Sequence, residues 1–394
     1  MKHPDRDGIR VDYAAETYAA MLDDIAGSGA TAETDDTVET GTDRGASAPV
    51  ATAVTIPALS SPVTSRSTPA EPPTANPQTT PASQAEPSAA AALLAAATNA
   101  VPVPHSDTPL ARELSEITRR RQVLAAEVLP VPDMTRVLTV ANQKGGVGKT
   151  TTTVNLAAAL ARGGARVLVI DLDPQGNAST ALGIEHRTET ASVYEVIIND
   201  EPIANVVQKS PDFDSLFCVP ATIHLAGAEI ELVSMVAREQ RLRTALEKFL
   251  AEGEQPFHYV FIDCPPSLGL LTINAFVAAQ EVLIPIQCEY YALEGLSQLL
   301  TNIKLIERHL NPVLAVSTIL LTMFDSRTNL ANQVAQEVRD HFPDQVLTTL
   351  IPRSVRISEA PSYGQTVISY DANSPGSLSY LEAAAEIAKR GAPQ

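Results

Sequence analysis

The sequence predicts an α/β protein, a doubly wound and mostly parallel sheet preceded by a long disordered N-terminal extension. Three observations carry this. From residue 135 onward, short apolar and β-branched runs alternate with helical stretches. A glycine-rich run follows the first of those strands directly, where sheets of this kind present their ligands. Composition also changes near residue 130. The first 130 of 394 residues hold 14 of the 29 prolines but only two of the 17 Phe and Tyr residues, Tyr13 and Tyr18. About 260 residues are left to bury a core, which suits one α/β domain. The boundaries expected are an extension over 1–130 and a domain over 131–394.

Within the extension, residues 8–26 could form a short amphipathic helix with Val11, Tyr18, Met21 and Leu22 as its apolar positions. Acidic residues dominate from Asp23 to Asp43, and Pro, Ala, Ser and Thr then fill the chain to about residue 108. Such a stretch buries too little apolar surface to offset the entropy of ordering it, so disorder is expected there. Residues 109–128 read as a helix, with Leu110, Leu114, Ile117 and Leu124 at roughly helical spacing. Its basic run, Arg119–Arg121, reads as a solvated face leading into the domain, with contact to phosphate or a partner as the alternative.

Composition excludes several classes. The net charge of −18 divides into about −8 before residue 131 and −10 after it. A uniformly basic nucleic-acid-coating protein is ruled out, and any DNA contact must come from a local patch. Cys218, Cys264 and Cys288 form no CxxC pair, which argues against a zinc site or a disulfide framework. The start, MKHPDRDGIR, has no apolar signal region, and no run approaches the ~18 apolar residues of a membrane span. A cytoplasmic protein is expected.

In the domain, strands are expected at 136–142, 166–173, 258–266, 281–287 and 313–324, and helices at roughly 150–162, 268–279, 293–309 and 329–341. Continuous apolar runs suit strands covered on both faces. The first strand runs into Gln143-Lys144-Gly145-Gly146-Val147-Gly148-Lys149-Thr150-Thr151. This is a P-loop, GxxxxGK[ST], with Gln143 at the first glycine position and an extra lysine at 144. Backbone N–H groups of 145–150 can surround a β-phosphate because the glycines allow close approach. Lys149 would reach the β- and γ-phosphates, Thr150 would ligate Mg²⁺, and Thr151 is placed for the α-phosphate. A P-loop NTPase domain follows from loop and alternation together.

The second strand ends in Asp171-Leu172-Asp173. Alternation puts both carboxylates on one side near the loop, and Asp171 is expected to support the Mg²⁺ shell. The third ends in Asp263 after apolar residues, a Walker-B pattern in which the aspartate holds a metal-bound water. Cys264 reads as a small buried residue.

The run ANQKGGVGKTTTTVNLAAAL…VLVIDLDPQGNASTALG resembles the ParA/Soj partition ATPases, within the deviant Walker-A group marked by KGGxGK[ST]. The resemblance continues through FIDCPPSLGLLTINA, PIQCEYYALEGL, LTMFDSRTNLANQV and IPRSVRISEAPSYGQ, over about 135–390. It implies that Lys144 reaches across a nucleotide-sandwich dimer into the partner's site, doing the work of an arginine finger. It implies that Asp173 orients the attacking water. Met323, Pro352 and Arg353 would flank the adenine, and Arg327 and Arg356 would bind DNA non-specifically in the ATP dimer.

Three functions compete on this basis. The first is a DNA-segregation ATPase that binds ATP and Mg²⁺, forms an ATP-dependent homodimer on nucleoid DNA, and is released when a ParB-like partner stimulates hydrolysis. The second is a MinD-like ATPase cycling on a membrane. It needs a terminal amphipathic, lysine-bearing helix, and SYLEAAAEIAKRGAPQ has only a weak apolar face. The third is an autorepressor with an N-terminal helix-turn-helix, for which residues 1–108 are too rich in Pro and Ala. The first fits best, with no membrane partner.

Overall fold

The computed structural model describes residues 108–290 and 292–391. The helix expected over 8–26 and the disorder expected up to residue 107 lie outside the described residues. The described chain opens with helix α1 (Pro109–Ala126), whose first turn is capped by Thr108, Oγ1 accepting from the Ala111 N–H at 3.2 Å. Then come β1 (Arg136–Val140), α2 (Lys149–Arg162), β2 (Val167–Asp171) and α3 (Asn177–Ala181). A mixed segment follows: α4 (Val193–Asn199), α5 (Ile203–Val206), β3 (Gln208–Lys209), β4 (Leu216–Val219), α6 (Leu225–Leu232) and α7 (Arg241–Glu252). Alternation resumes with β5 (Tyr259–Asp263), α8 (Leu270–Ala278), β6 (Glu281–Gln287), α9 (Ala292–His309), β7 (Ala315–Phe324), α10 (Asn329–His341) and β8 (Val346–Pro352). The described residues close with α11 (Val355–Glu359), α12 (Val367–Tyr370) and α13 (Pro375–Arg390).

The eight strands form one sheet in the order β3-β4-β2-β5-β1-β6-β7-β8. All neighbours are parallel except β3 with β4. Side chains of one strand alternate between two cores. Leu168 and Ile170 face the layer of α4, α6, α7, α8, α9 and α10, while Val167 and Val169 face α2 and α13. Burying one such side chain contributes about 1.5–3 kcal/mol. The alanines of α2 (Ala157, Ala158, Ala159) are fully buried opposite Ala383, Ala384 and Ala388 of α13. Small residues on both helices let α2 lie between sheet and outer helix, which fixes the loop before it.

The sequence did not mark the sheet's edges. β3 and β4 are two and four residues long, and β8 is interrupted by the exposed Thr348 and ends in proline. Neither pattern is the continuous apolar run that identifies a central strand. No strand was expected over 346–352, which forms β8, with Pro352 opposite Phe324. Nor is α1 a free lead-in. Arg120 Nε donates to Glu382 Oε1 at 2.6 Å, Glu127 pairs with Lys389 at 2.7 Å, and the Arg121 guanidinium donates to Asn373. All three partners belong to α13 or the turn before it. The folded body therefore includes α1, ahead of the boundary expected at 130.

Candidate nucleotide-binding site

β1 lies between β5 and β6, so the chain leaves it toward one side of the sheet and later fills the other. The crevice beyond its carboxyl end is the place where such sheets hold ligands. Residues 141–148 occupy it. Gly146 and Gly148 have φ of +76° and +89°, conformations that a side chain would strain. A Cβ at Gly145 or Gly146 would meet nothing within 4 Å, so the loop surrounds open space. Gly148 caps α2, whose first N–H groups point into that space. Val147 is buried, and its carbonyl accepts from Thr322 Oγ1 at 2.8 Å, which ties the loop to β7. Lys149 and Thr150 open α2, and the Thr151 carbonyl accepts from Asn155 Nδ2 at 2.7 Å. Asn155 Oδ1 in turn accepts from the Val367 N–H at 2.8 Å, at the start of α12.

Asp171 and Asp263 stand opposite each other on β2 and β5, both fully buried. Burial raises the pKa of each, and for Asp263 the Asp171 charge raises it further. Thr153 Oγ1 donates to Asp263 Oδ1 at 2.9 Å. Asp263 Oδ2 is buried without a partner. An orphaned carboxylate oxygen beside a P-loop threonine fits Mg²⁺, which takes few protein ligands and keeps several waters. Burial lowers the Lys149 pKa, opposed by Asp263 and to a smaller degree by Asp173. The Cys264 thiol is buried and pushed far above its ordinary value, so it is no nucleophile.

Asp171 Oδ2 accepts from Ser179 N at 2.9 Å and Ser179 Oγ at 2.7 Å, and its Oδ1 accepts from Asp173 N at 3.2 Å. Both oxygens are engaged by protein groups. β2 ends at Asp171, the Leu172 N–H still donates to the Asp263 carbonyl at 2.9 Å, and the chain turns at Pro174 and Gln175. Asp173 is only partly buried, and its Oδ1 accepts from the Gln175 N–H at 3.0 Å.

Lys144 Nζ lies 2.7 Å from Glu289 Oε2, in the segment after β6. Met323 sits against the loop, its Cε 3.9 Å from where a Gly148 Cβ would be, and holds φ +50°, rare for a side-chain-bearing residue. The Arg353 N–H donates to the Phe324 carbonyl at 3.2 Å, so Met323, Pro352 and Arg353 share one rim beside the P-loop. Arg327 and Arg356 stand after β7 and β8, and each is already paired. Asp325 grips Arg327 with two bonds of 2.8 and 2.7 Å, and this holds the Asp325 carboxyl down at about 2. Arg356 pairs with Glu359 at 3.1 Å and Asp371 at 3.5 Å.

Sequence reasoning missed three contributors: Thr153, Ser179 and Glu289. Thr153 is the last of four threonines with no pattern separating it from Thr152. Ser179 meets Asp171 only because α3 folds back on β2. Glu289 follows the apolar run of β6 directly, which is the position where this sheet delivers site residues, and that signal could have found it.

A family model described as an AAA domain matches residues 135–316. The sporulation initiation inhibitor protein Soj of Bacillus subtilis is 53% identical over 258 residues, which cover 66% of this chain and 100% of that protein. The chromosome partitioning protein ParA of Myxococcus xanthus is 53% identical over 259 residues, 66% of this chain and 90% of that one. Among solved structures, cobyrinic acid a,c-diamide synthase from Mycobacterium smegmatis, with bound ATP analog and magnesium, is similar at TM-score 0.55 and 39% identity. That likeness covers 64% of this chain and 93% of that one. Identity is higher to the partitioning proteins, and it runs over nearly their whole length. The chain belongs to the ParA/Soj family of chromosome-partitioning ATPases.

Proposed function

We propose that this protein is an ATP-hydrolysing DNA-segregation switch acting on the nucleoid in the cytoplasm. ATP closes two protomers into a sandwich that binds DNA without sequence preference, and a ParB-like partner speeds hydrolysis and release. The observation that carries the nucleotide half is the open, glycine-lined loop beside Thr150 and the unpartnered Asp263 oxygen. Lys149 binds the β- and γ-phosphates, the N–H groups of 145–150 cradle them, and Thr151 contacts the α-phosphate. Thr150 and Asp263 would hold Mg²⁺, which would supply positive charge to offset that of the phosphates. Asp173 orients the water that attacks the γ-phosphorus. Asp171 is a positioning residue that holds the Asp173 turn against α3. Lys144 exchanges Glu289 for the partner's phosphates on dimerisation. Met323, Pro352 and Arg353 form the adenine rim.

A membrane-cycling reading has less support. The apolar face of α13 (Leu378, Tyr380, Ala383, Ala384, Ile387) is buried in the domain, so it is not free to lie on a bilayer. Among the described residues no helix is long and apolar enough to cross a membrane.

The test separates ground-state from transition-state contacts. Lys149→Ala should lose nucleotide binding, whereas Asp173→Ala should bind ATP, dimerise and fail to turn it over. Calorimetric ATP binding, light scattering and phosphate release read the three properties. Unchanged turnover in Asp173→Ala would sink the assignment. In that background, Arg356→Glu should weaken binding to every DNA sequence alike. It should also lower the slope of log K against log salt by about two per dimer, at roughly 0.9 per lost contact.

A further inference from the structure

The family match begins at residue 135, after α1, so nothing known of the relatives says what α1 does. Its docking is specific. Arg121 Nη1 donates to Asn373 Oδ1 at 3.1 Å and Nη2 donates to the Asn373 carbonyl. Asn373 belongs to a tight turn in which the Asp371 carbonyl accepts from both Ser374 N, at 3.0 Å, and Ser374 Oγ, at 2.8 Å. The carboxylate of that same Asp371 holds Arg356. One hydrogen-bonded turn, two residues apart, therefore fixes a guanidinium from α1 and the guanidinium proposed to meet DNA.

Charge decides what this juxtaposition is for. Arg356 faces two carboxylates, Glu359 and Asp371, and alone is outnumbered. Arg119 and Arg120 bring no net charge, being paired with Glu116 and Glu382. Arg121 differs: its partners are a neutral amide and a carbonyl, and its Nε is buried without a partner. Its positive charge is uncompensated by any of these contacts. A neutral, docked helix end would need no such residue, whereas a surface that receives phosphate does.

We propose that α1 is part of the DNA-contacting surface, with Arg121 supplying a phosphate contact beside Arg356, a role that rests on the DNA contact proposed above. The ligand is the sugar–phosphate backbone of duplex DNA, with no base reading. Each sandwich dimer then gains two contacts that a chain lacking α1 could not make.

The experiment uses the full chain carrying Asp173→Ala, with ATP and Mg²⁺, and a fluorescent mixed-sequence duplex titrated at several salt concentrations. Arg121→Glu should weaken binding and lower the salt slope by about two per dimer, as one contact per protomer is lost. Arg121→Lys keeps the charge but cannot fork onto Asn373, and should keep most of the slope. Thermal melts of both variants show whether α1 remains docked. If Arg121→Glu keeps the parent's affinity and slope while Arg356→Glu loses both, α1 lies outside the surface and the inference is overturned. If Arg121→Lys falls as far as Arg121→Glu, the residue only anchors the helix, which overturns it equally. If Arg356→Glu also binds as the parent does, the underlying DNA reading has failed, and this inference with it.

Discussion

Asp263 serves two opposing ends. Burial and the neighbouring Asp171 hold its carboxyl above the ordinary 3.8, so the nucleotide-free fold binds that proton more tightly than the unfolded chain. Its contribution to stability is full below 3.8 and is lost as pH rises through the raised value. Asp263→Asn removes the titration and leaves an oxygen for Thr153. The nucleotide-free variant should melt higher than the parent at pH 8, on the order of a few degrees, with the gap closing toward pH 5. ATP with Mg²⁺ should stabilise the parent and not the variant. A gap independent of pH in a melting series would show that Asp263 is not the source. At the opposite edge, Asp325 stays ionised at any working pH and keeps Arg327 occupied. Asp325→Asn should tighten DNA binding about two- to fivefold, measured by anisotropy at fixed salt. Residues such as Lys149 and Thr150 were legible because a loop motif fixes them by spacing alone. The bonds that Asp171 accepts from Ser179 were not legible, because they depend on how α3 packs against β2, which no local pattern encodes.

Among the elements, the central strands and the helices flanking them were readable because burial on both faces forces unbroken apolar runs. The edges β3, β4 and β8 carry half that constraint and left half the signal. α1 was legible as a helix but not as a docked one, since its anchors on α13 lie some 250 residues away in sequence. Its contacts predict a difference between two truncations. Removing residues 1–107 keeps the contacts of Arg120, Arg121 and Glu127 with the domain and should leave the melting temperature where it is. Removing 1–130 deletes the Arg120–Glu382 and Glu127–Lys389 pairs and takes Leu129 off Gly163. Melting should then drop by on the order of a few degrees while ATP binding persists, because no loop residue has been touched. Equal melting of the two truncations would mean that α1 adds nothing to the fold.

For the molecule as a whole, the doubly wound architecture follows from the order in which strands and helices alternate, and the position of the site follows from that architecture. A chain of net charge −18 cannot approach DNA by long-range attraction, so its affinity must be local and sensitive to geometry. Geometry is what Asn155 controls. Almost fully buried, it holds the carbonyl of Thr151 with one end of its amide and the first N–H of α12 with the other. α12 ends at Tyr370, next to the Asp371 that grips Arg356. A single side chain thus joins the first turn of α2, beside the phosphate loop, to α12, which leads into the turn that holds Arg356. Asn155→Ala removes that link, and its DNA affinity, measured by anisotropy, should then no longer distinguish ATP from ADP.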